Sequence, residues 1–161
     1  MKTHQTPEGN CDEWLTPPEM LRALGEFHLD PCAPNRPPWV LASYIYRLPL
    51  EDGLVLSWHG RVWCNPPFNR YQRPKWMKKM AEHGNGIMLI PAATETQAFF
   101  DCVWNKADAV CFVKGRPHFY YPDGTRSKAN CGCSIALVAY GMDNVVKLVE
   151  SNLGKTIILS K

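Results

Sequence analysis

Ile87-Met88-Leu89-Ile90 forms an unbroken apolar run between Gly86 and Pro91, and Ser134 to Tyr140 is a second strongly apolar stretch. Runs this short without a polar face read as strands buried inside a sheet, and they bound what the rest of the chain can be. Further strands are expected at Phe27 to Asp30, Val40 to Tyr46, Arg61 to Cys64, Asp108 to Lys114 and Thr156 to Leu159. Helical patterns alternate with them: one through Met20, Leu21 and Leu24, one from near Pro74 to Gly84, one carrying Phe99, Phe100, Val103 and Trp104, and one over Asp143 to Leu153. The alternation implies an α/β fold, a mostly parallel sheet with helices on both faces. No repeat period is visible and 161 residues suit one domain, so the expectation is a flexible polar tail over 1–11 and a single domain over 12–161.

Asn65-Pro66-Pro67-Phe68 directly follows the strand ending at Cys64. Loops at strand ends are where open α/β sheets bind ligands. Each proline fixes its own φ and disfavours helix in the residue before it, so this loop is stiff before any ligand arrives. Stiffness lets the side-chain carbonyl of Asn65 and the backbone carbonyl of Pro66 present two acceptors at a fixed separation. Such a pair suits an exocyclic amine on a heteroaromatic ring. Accepting its hydrogens favours a pyramidal nitrogen with an exposed lone pair and stabilises the positive charge that develops there. Phe68 is placed to stack on the ring, a contact of about 1–3 kcal/mol. Taken alone, the tetrapeptide is equally a Pro-Pro turn ending a strand.

Upstream, Thr16-Pro17-Pro18-Glu19 has the form of a capping box with proline at the first helical position, and Trp14 that of a hydrophobic staple. Asp30 closes its strand at the ligand-binding edge, before the proline-rich loop Pro31 to Pro38. From position alone it is either a partner for a cation or a loop aspartate capping local N–H groups. Asp52-Gly53 is a turn signal. Downstream, Arg70, Arg73, Lys75, Lys78 and Lys79 put five cations within ten residues, a candidate phosphate-binding surface set against the plainer reading of a solvated helix face. Gly115 to Gly132 mixes Arg116, His118, Phe119, Tyr120, Tyr121, Arg126 and Lys128 around Pro122-Asp123-Gly124. It is a loop or hairpin offering stacking and phosphate-binding groups, or else aromatics covering a sheet edge.

Net charge, at +3, permits nucleic-acid binding without requiring it. No apolar run approaches the length of a membrane span, and Met1 to Asn10 lacks an apolar signal core, so a cytoplasmic location is expected. Seven cysteines, several inside apolar runs as Cys64, Cys102 and Cys111 are, read as reduced core residues. Cys131-Gly132-Cys133 lacks the spacing of a zinc knuckle, and no metal is expected.

The tetrapeptide resembles the N/D-P-P-Y/F/W motif of amino-methyltransferases that use S-adenosylmethionine. More closely, Asp12-Glu13-Trp14 with Thr16-Pro17, then Leu29-Asp30-Pro31-Cys32-Ala33, then Asp52-Gly53-Leu54, then Asn65 to Phe68 are similar, in that order, to segments of the small phage-encoded DNA adenine methyltransferases. The likeness runs from about Asp12 to Gly141. It implies a Rossmann-like S-adenosylmethionine-dependent fold and methylation of the exocyclic amine of adenine in duplex DNA. The base would be flipped out of the stack and the methyl passed directly, without a covalent enzyme intermediate.

The likeness also assigns residues. Asn65, Pro66, Pro67 and Phe68 form the catalytic loop. Trp14, Thr16, Asp30, Pro31, Cys32, Asp52 and Asn65 bind the cofactor, with Asp30 toward its ammonium and Asp52 toward its adenine amine. Arg116 and Phe119 match a G-R-x-x-F element and, with His118 and the cations Arg70, Arg73, Lys75, Lys78 and Lys79, are expected to bind DNA. No obligate protein partner is evident, and the cytoplasm is that of a host cell if the chain is phage-encoded. Where family members carry a glycine-rich Gly-x-Gly loop this chain has Asp30-Pro31-Cys32-Ala33-Pro34-Asn35, a departure in the cofactor loop. Two other readings stay open: methylation of a glutamine amide in protein, and a catalytically silent nucleic-acid-binding module of the same fold.

Overall fold

The computed structural model describes residues 13–160, and the expected tail over 1–11 lies outside the described residues. Among these, seven strands build one sheet: β1 (Phe27–Asp30), β2 (Ala42–Ile45), β3 (Val62–Cys64), β4 (Gly86–Pro91), β5 (Ala109–Val113), β6 (Ile135–Tyr140) and β7 (Gly154–Ile158). Their spatial order is β2-β1-β3-β4-β6-β5-β7. Pairs β1/β2, β1/β3 and β3/β4 are parallel, whereas β4/β6, β5/β6 and β5/β7 are antiparallel. Strands β1 to β5 therefore all point one way and only β6 and β7 are reversed, so the sheet is mostly parallel in direction, with an antiparallel half.

The two apolar runs pair with each other at the centre, Gly86 opposite Tyr140 through Pro91 opposite Ile135, and every residue of both strands is buried. The period of two decides which way each side chain faces. Met88 and Ile90 pack with Trp76, Met77, Met80 and Phe99, while Ile87 and Leu89 pack with Met20, Leu21, Leu24, Val145 and Leu148. The first group comes from α2 (Arg73–His83) and α3 (Gln97–Phe99, which runs on as a π-helical turn over Phe100–Trp104), the second from α1 (Pro18–Leu24) and α4 (Met142–Glu150). Helices thus cover both faces, as the alternation of elements implied. Each large apolar side chain so buried contributes about 1.5–3 kcal/mol, which makes β4 and β6 the anchor of the domain.

One expectation needs correction. Pro17 lies at the N-cap of α1 in an extended conformation (ψ 130°), because Pro18 after it disfavours helix there. The capping box does not form, the helix starts one residue late, and Thr16 is released for another partner. Between β1 and β3 the segments 31–41 and 46–61 hold no helix, in keeping with the proline-rich loop and the Asp52-Gly53 turn read there. Pro31, Pro34, Pro37 and Pro38 exclude one from the first connection. Trp39 and Leu41 pack instead beside α1 on that face.

Arg61 ties this thinner half to the rest. Its guanidinium donates to the carbonyls of Leu24 at 2.8 Å and Glu26 at 2.6 Å and to Asn144 Oδ1 at 2.7 Å, and lies 4.1 Å from the Phe27 ring centroid. One planar group therefore closes the end of α1, the start of β1 and the first turn of α4. No helix among the described residues is long and apolar enough to cross a membrane.

Candidate active site

Leu29 of β1 lies opposite Val62 of β3 in a parallel pair, so Asp30 and Asn65, at the ends of these strands, reach the same rim of the sheet. β2 flanks β1 on the side away from β3. The chain thus moves outward in opposite directions from β1, and such a switch point leaves a crevice beyond the strand ends. A cleft is found there, and Trp14, Thr16, Asp30, Cys32, Trp39 and Asn65 are among its walls. Its cavity is small, about 50 Å³, well below the size of a site for an organic ligand. The cleft is narrow, and a ligand larger than water must part its walls.

Asn65 leaves β3 directly after Cys64. Its Nδ2 donates to the Trp14 carbonyl at 2.8 Å and to Thr16 Oγ1 at 3.2 Å. A backbone carbonyl only accepts, so Trp14 decides which end of the amide is nitrogen. Among the described residues neither Asn65 Oδ1 nor the Pro66 carbonyl accepts a hydrogen bond. Two acceptors on a stiff turn are left for an outside donor. Pro66 is buried, Pro67 and Phe68 are half-buried, and the Phe68 ring meets Phe119 edge-on with centroids 6.1 Å apart.

Trp14 to Thr16 form a strap across this turn. Leu15 exchanges both backbone hydrogen bonds with Tyr120, at 2.9 and 3.0 Å. The Trp14 ring lies 5.0 Å from that of Tyr121, and Trp39 meets Tyr120 edge-on at 5.2 Å. Strap, cleft wall and the 115–132 loop are therefore packed as one unit.

Asp30 Oδ1 accepts from the Cys32 backbone N–H at 3.0 Å. Burial pushes the Asp30 carboxyl up to about 7, with that hydrogen bond opposing the shift. Cys32 is pushed far up, first by burial and then by the negative charges of Asp30, Glu13 and Asp52, and is therefore a poor nucleophile. The same charges make this end of the cleft favourable to a cation. Asp52 Oδ1 accepts from Leu54 N at 2.8 Å, the geometry of a turn aspartate. A Cβ at Gly53 would overlap the Pro31 carbonyl oxygen, so the two loops are in backbone contact and this position requires glycine. Pro31 and Asp52 support the cleft without lining it, whereas Trp14, Thr16, Asp30, Cys32 and Asn65 line it.

The expected DNA-facing residues divide. Arg70, Lys75, Lys78 and Arg116 are exposed. Arg70 stacks on its neighbour Tyr71, and Lys78 lies 3.9 Å from Glu82 across one helical turn, a pair of little energetic weight at this exposure. Arg73 donates to the Phe68 carbonyl at 3.2 Å and so braces the Asn65 to Phe68 turn. Lys79 is drawn away: its Nζ donates to the Leu54 and Leu56 carbonyls at 2.9 and 2.6 Å, satisfying acceptors the 52–58 turn leaves open. His118 Nδ1 is 3.1 Å from the Ser127 carbonyl and serves the loop itself. Phe119 is only 5% exposed, in the core behind Phe68, and presents no face for stacking.

Sequence reasoning missed Trp39, a cleft wall, and Tyr71, 68% exposed beside Arg70 three residues past Phe68. For Tyr71 the signal was available, an aromatic inside a run of cations. Nothing in the sequence marked Trp39. Because Phe119 is a core ring, Phe119→Ala should lower stability by about 3 kcal/mol in urea denaturation, whereas a surface stacking residue would leave the midpoint unchanged.

Searches of curated proteins and of solved structures returned no match to the chain. A protein-family model described as DNA N-6-adenine-methyltransferase (Dam) matches residues 3–155, and thus covers the strap, both strand ends of the cleft and the 115–132 loop. The chain belongs to this family of enzymes, the DNA N-6-adenine-methyltransferases.

Proposed function

We propose that the chain methylates the exocyclic amine of adenine in duplex DNA with S-adenosylmethionine, at the cleft between the ends of β1 and β3. One observation carries this reading: the Asn65 amide is held by its nitrogen, which leaves Oδ1 and the Pro66 carbonyl as a rigid pair of acceptors. These oxygens take the hydrogens of the amine, and the charge that develops on its nitrogen is stabilised by dipoles already in place. Phe68, backed by Phe119 and with its carbonyl held by Arg73, is a half-buried ring at the same turn. Cys32 is no rival nucleophile, so no covalent enzyme intermediate is needed.

S-adenosylmethionine, when bound, supplies the methyl group on a positively charged sulfur. The donor set fits such a molecule. Asp30 offers a carboxylate to an ammonium, Trp14 and Trp39 offer flat apolar walls, and the negative charge of Asp30 with that of Glu13 and Asp52 around Cys32 favours a cationic ligand. Apolar and aromatic walls with a few convergent polar groups are the usual make-up of a cofactor cleft. An adenine amine is paired inside a duplex, so the base must leave the stack to reach Asn65. Arg70, Tyr71, Lys75, Lys78 and Arg116 supply cations and a ring for the strand around it.

Incubation with methyl-labelled S-adenosylmethionine and, separately, duplex DNA, RNA and protein should label DNA alone, on adenine N6. Label in protein alone would instead favour glutamine amide chemistry, and failure to bind the cofactor would favour a silent module. Asn65→Ala should abolish transfer while cofactor affinity stays within several-fold.

The raised carboxyl of Asp30 sets a pH dependence. Below about 7 it is protonated in the free protein and must lose its proton to face an ammonium, so cofactor affinity should rise as pH is raised through 7 and level off above it. For the free protein the sign is opposite: a carboxyl raised in the folded state favours folding below its ordinary 3.8, a contribution lost as pH climbs to about 7. Binding titrations from pH 6 to 8 should show this step, and Asp30→Asn should lack it.

Charge reversal of Lys75 and Lys78 together should weaken DNA binding and flatten its dependence on salt by about one to two released counterions. Lys79→Glu should act chiefly on stability, through the lost hold on Leu54 and Leu56. Fluorescence anisotropy across a salt series and thermal melting separate the two.

A further inference from the structure

Thr16 is 3% exposed, and its hydroxyl makes no cap to α1, since Pro17 holds that position. It meets the Asn65 Nδ2 at 3.2 Å, and the Trp14 carbonyl meets the same nitrogen at 2.8 Å. Both partners belong to one strap of three residues. The middle one, Leu15, is clamped to Tyr120 by two backbone hydrogen bonds, so the strap cannot slide along the turn without breaking them. An unrestrained amide could rotate by half a turn and present N–H where an acceptor is needed. The Trp14 carbonyl, which can only accept, makes that arrangement costly, because a flipped Asn65 would set its oxygen against it, and the Thr16 hydroxyl adds a second point of attachment on the same side.

From this geometry we propose that Thr16 is a positioning residue for methyl transfer: with the Trp14 carbonyl it holds the Asn65 amide so that Oδ1 faces the incoming amine. This rests on the reading of the cleft given above and deepens it. A consequence separates it from a general need for an oxygen at position 65. Aspartate keeps the acceptors but has no N–H, so in this chain it would place a carboxylate oxygen against the Trp14 carbonyl and lose that bond, leaving only the Thr16 hydroxyl, turned to donate, to hold it. Asn65→Asp should therefore fail here even though the acceptor is retained. The strap is also held by the 115–132 loop, through Leu15 with Tyr120 and Trp14 with Tyr121, so the loop that carries Arg116 sets the orientation of the amide at one remove.

Steady-state kinetics on duplex DNA, cofactor affinity by tryptophan quenching, and thermal melting are to be compared for the full chain and for Thr16→Val, Thr16→Ser and Asn65→Asp. Thr16→Val should lower kcat about tenfold or more, with KM for DNA and cofactor Kd within about threefold of wild type. Thr16→Ser should recover most of the rate, and Asn65→Asp should lose it. Wild-type kcat in Thr16→Val would overturn the proposal, as would a loss confined to cofactor Kd, which would make Thr16 a cofactor ligand instead. Should Thr16→Val lose its fold, Asn65→Asp decides alone, and turnover at the wild-type rate overturns the proposal. A wild-type chain that transfers nothing to adenine overturns the reading of the cleft itself, an outcome distinct from all of these.

Discussion

The parallel pairing of β1 with β3 is the constraint on which the site depends. Asp30 and Asn65 are 35 positions apart in sequence and come to one rim only because Leu29 stands opposite Val62. A slip of one residue would turn every side chain of β3 to the other face and carry Asn65 away from the cleft. Register here is enforced from outside the pair. Val62 and Cys64 face the α2 side and Trp63 the α1 side, each buried, while Arg61 just before them grips α1, β1 and α4. Packing energy collected on both faces of the sheet is thus converted into the position of one amide.

Much of this was legible in the sequence, because the relevant signals are local. Strands β1 and β4 begin and end where their apolar patterns do, and α2 starts beside Pro74 where proline permits a first turn. The proline pair after Cys64 announced a stiff turn, and the turn is found at a strand end facing a cleft. What escaped was set by partners distant in sequence. The Thr16-Pro17-Pro18-Glu19 pattern is a sound capping box on its own, yet Pro18 keeps Pro17 extended and Asn65 takes the threonine, an acceptor–donor match across 49 residues. Asp30 was ambiguous from position, and only its place on the cleft wall separates it from an ordinary loop aspartate.

The cation run shows the same limit. Charge density marked residues 70–79 correctly as basic, but sequence carries no record of which carbonyls a neighbouring turn leaves open. Lys79 was claimed by Leu54 and Leu56, and Arg73 by Phe68, so two of the five hold the protein together while Arg70, Lys75 and Lys78 stay at the surface. Phe119 illustrates the reverse error. Aromatics in a cationic loop suggest stacking on bases, yet a ring beside a buried strand gains more from leaving water, and its influence on the site passes through Phe68.

The missing crossover helices between β1 and β3 give the domain an uneven rigidity. On one side, β4 and β6 are sealed in apolar contacts on both faces; on the other, β2 is a four-residue edge strand with Tyr44 largely in solvent, joined by proline-rich coil. Segments with few buried apolar contacts open at a small fraction of the global unfolding free energy. The wall built from Pro34, Pro37 and Ile45 belongs to that soft margin, whereas Trp39, packed on Tyr120, and the Asn65 turn are held with the strap on the hard one. A tight crevice between a compliant flap and a fixed jaw can admit a large guest by yielding on one side alone, without disturbing the amide that must meet it.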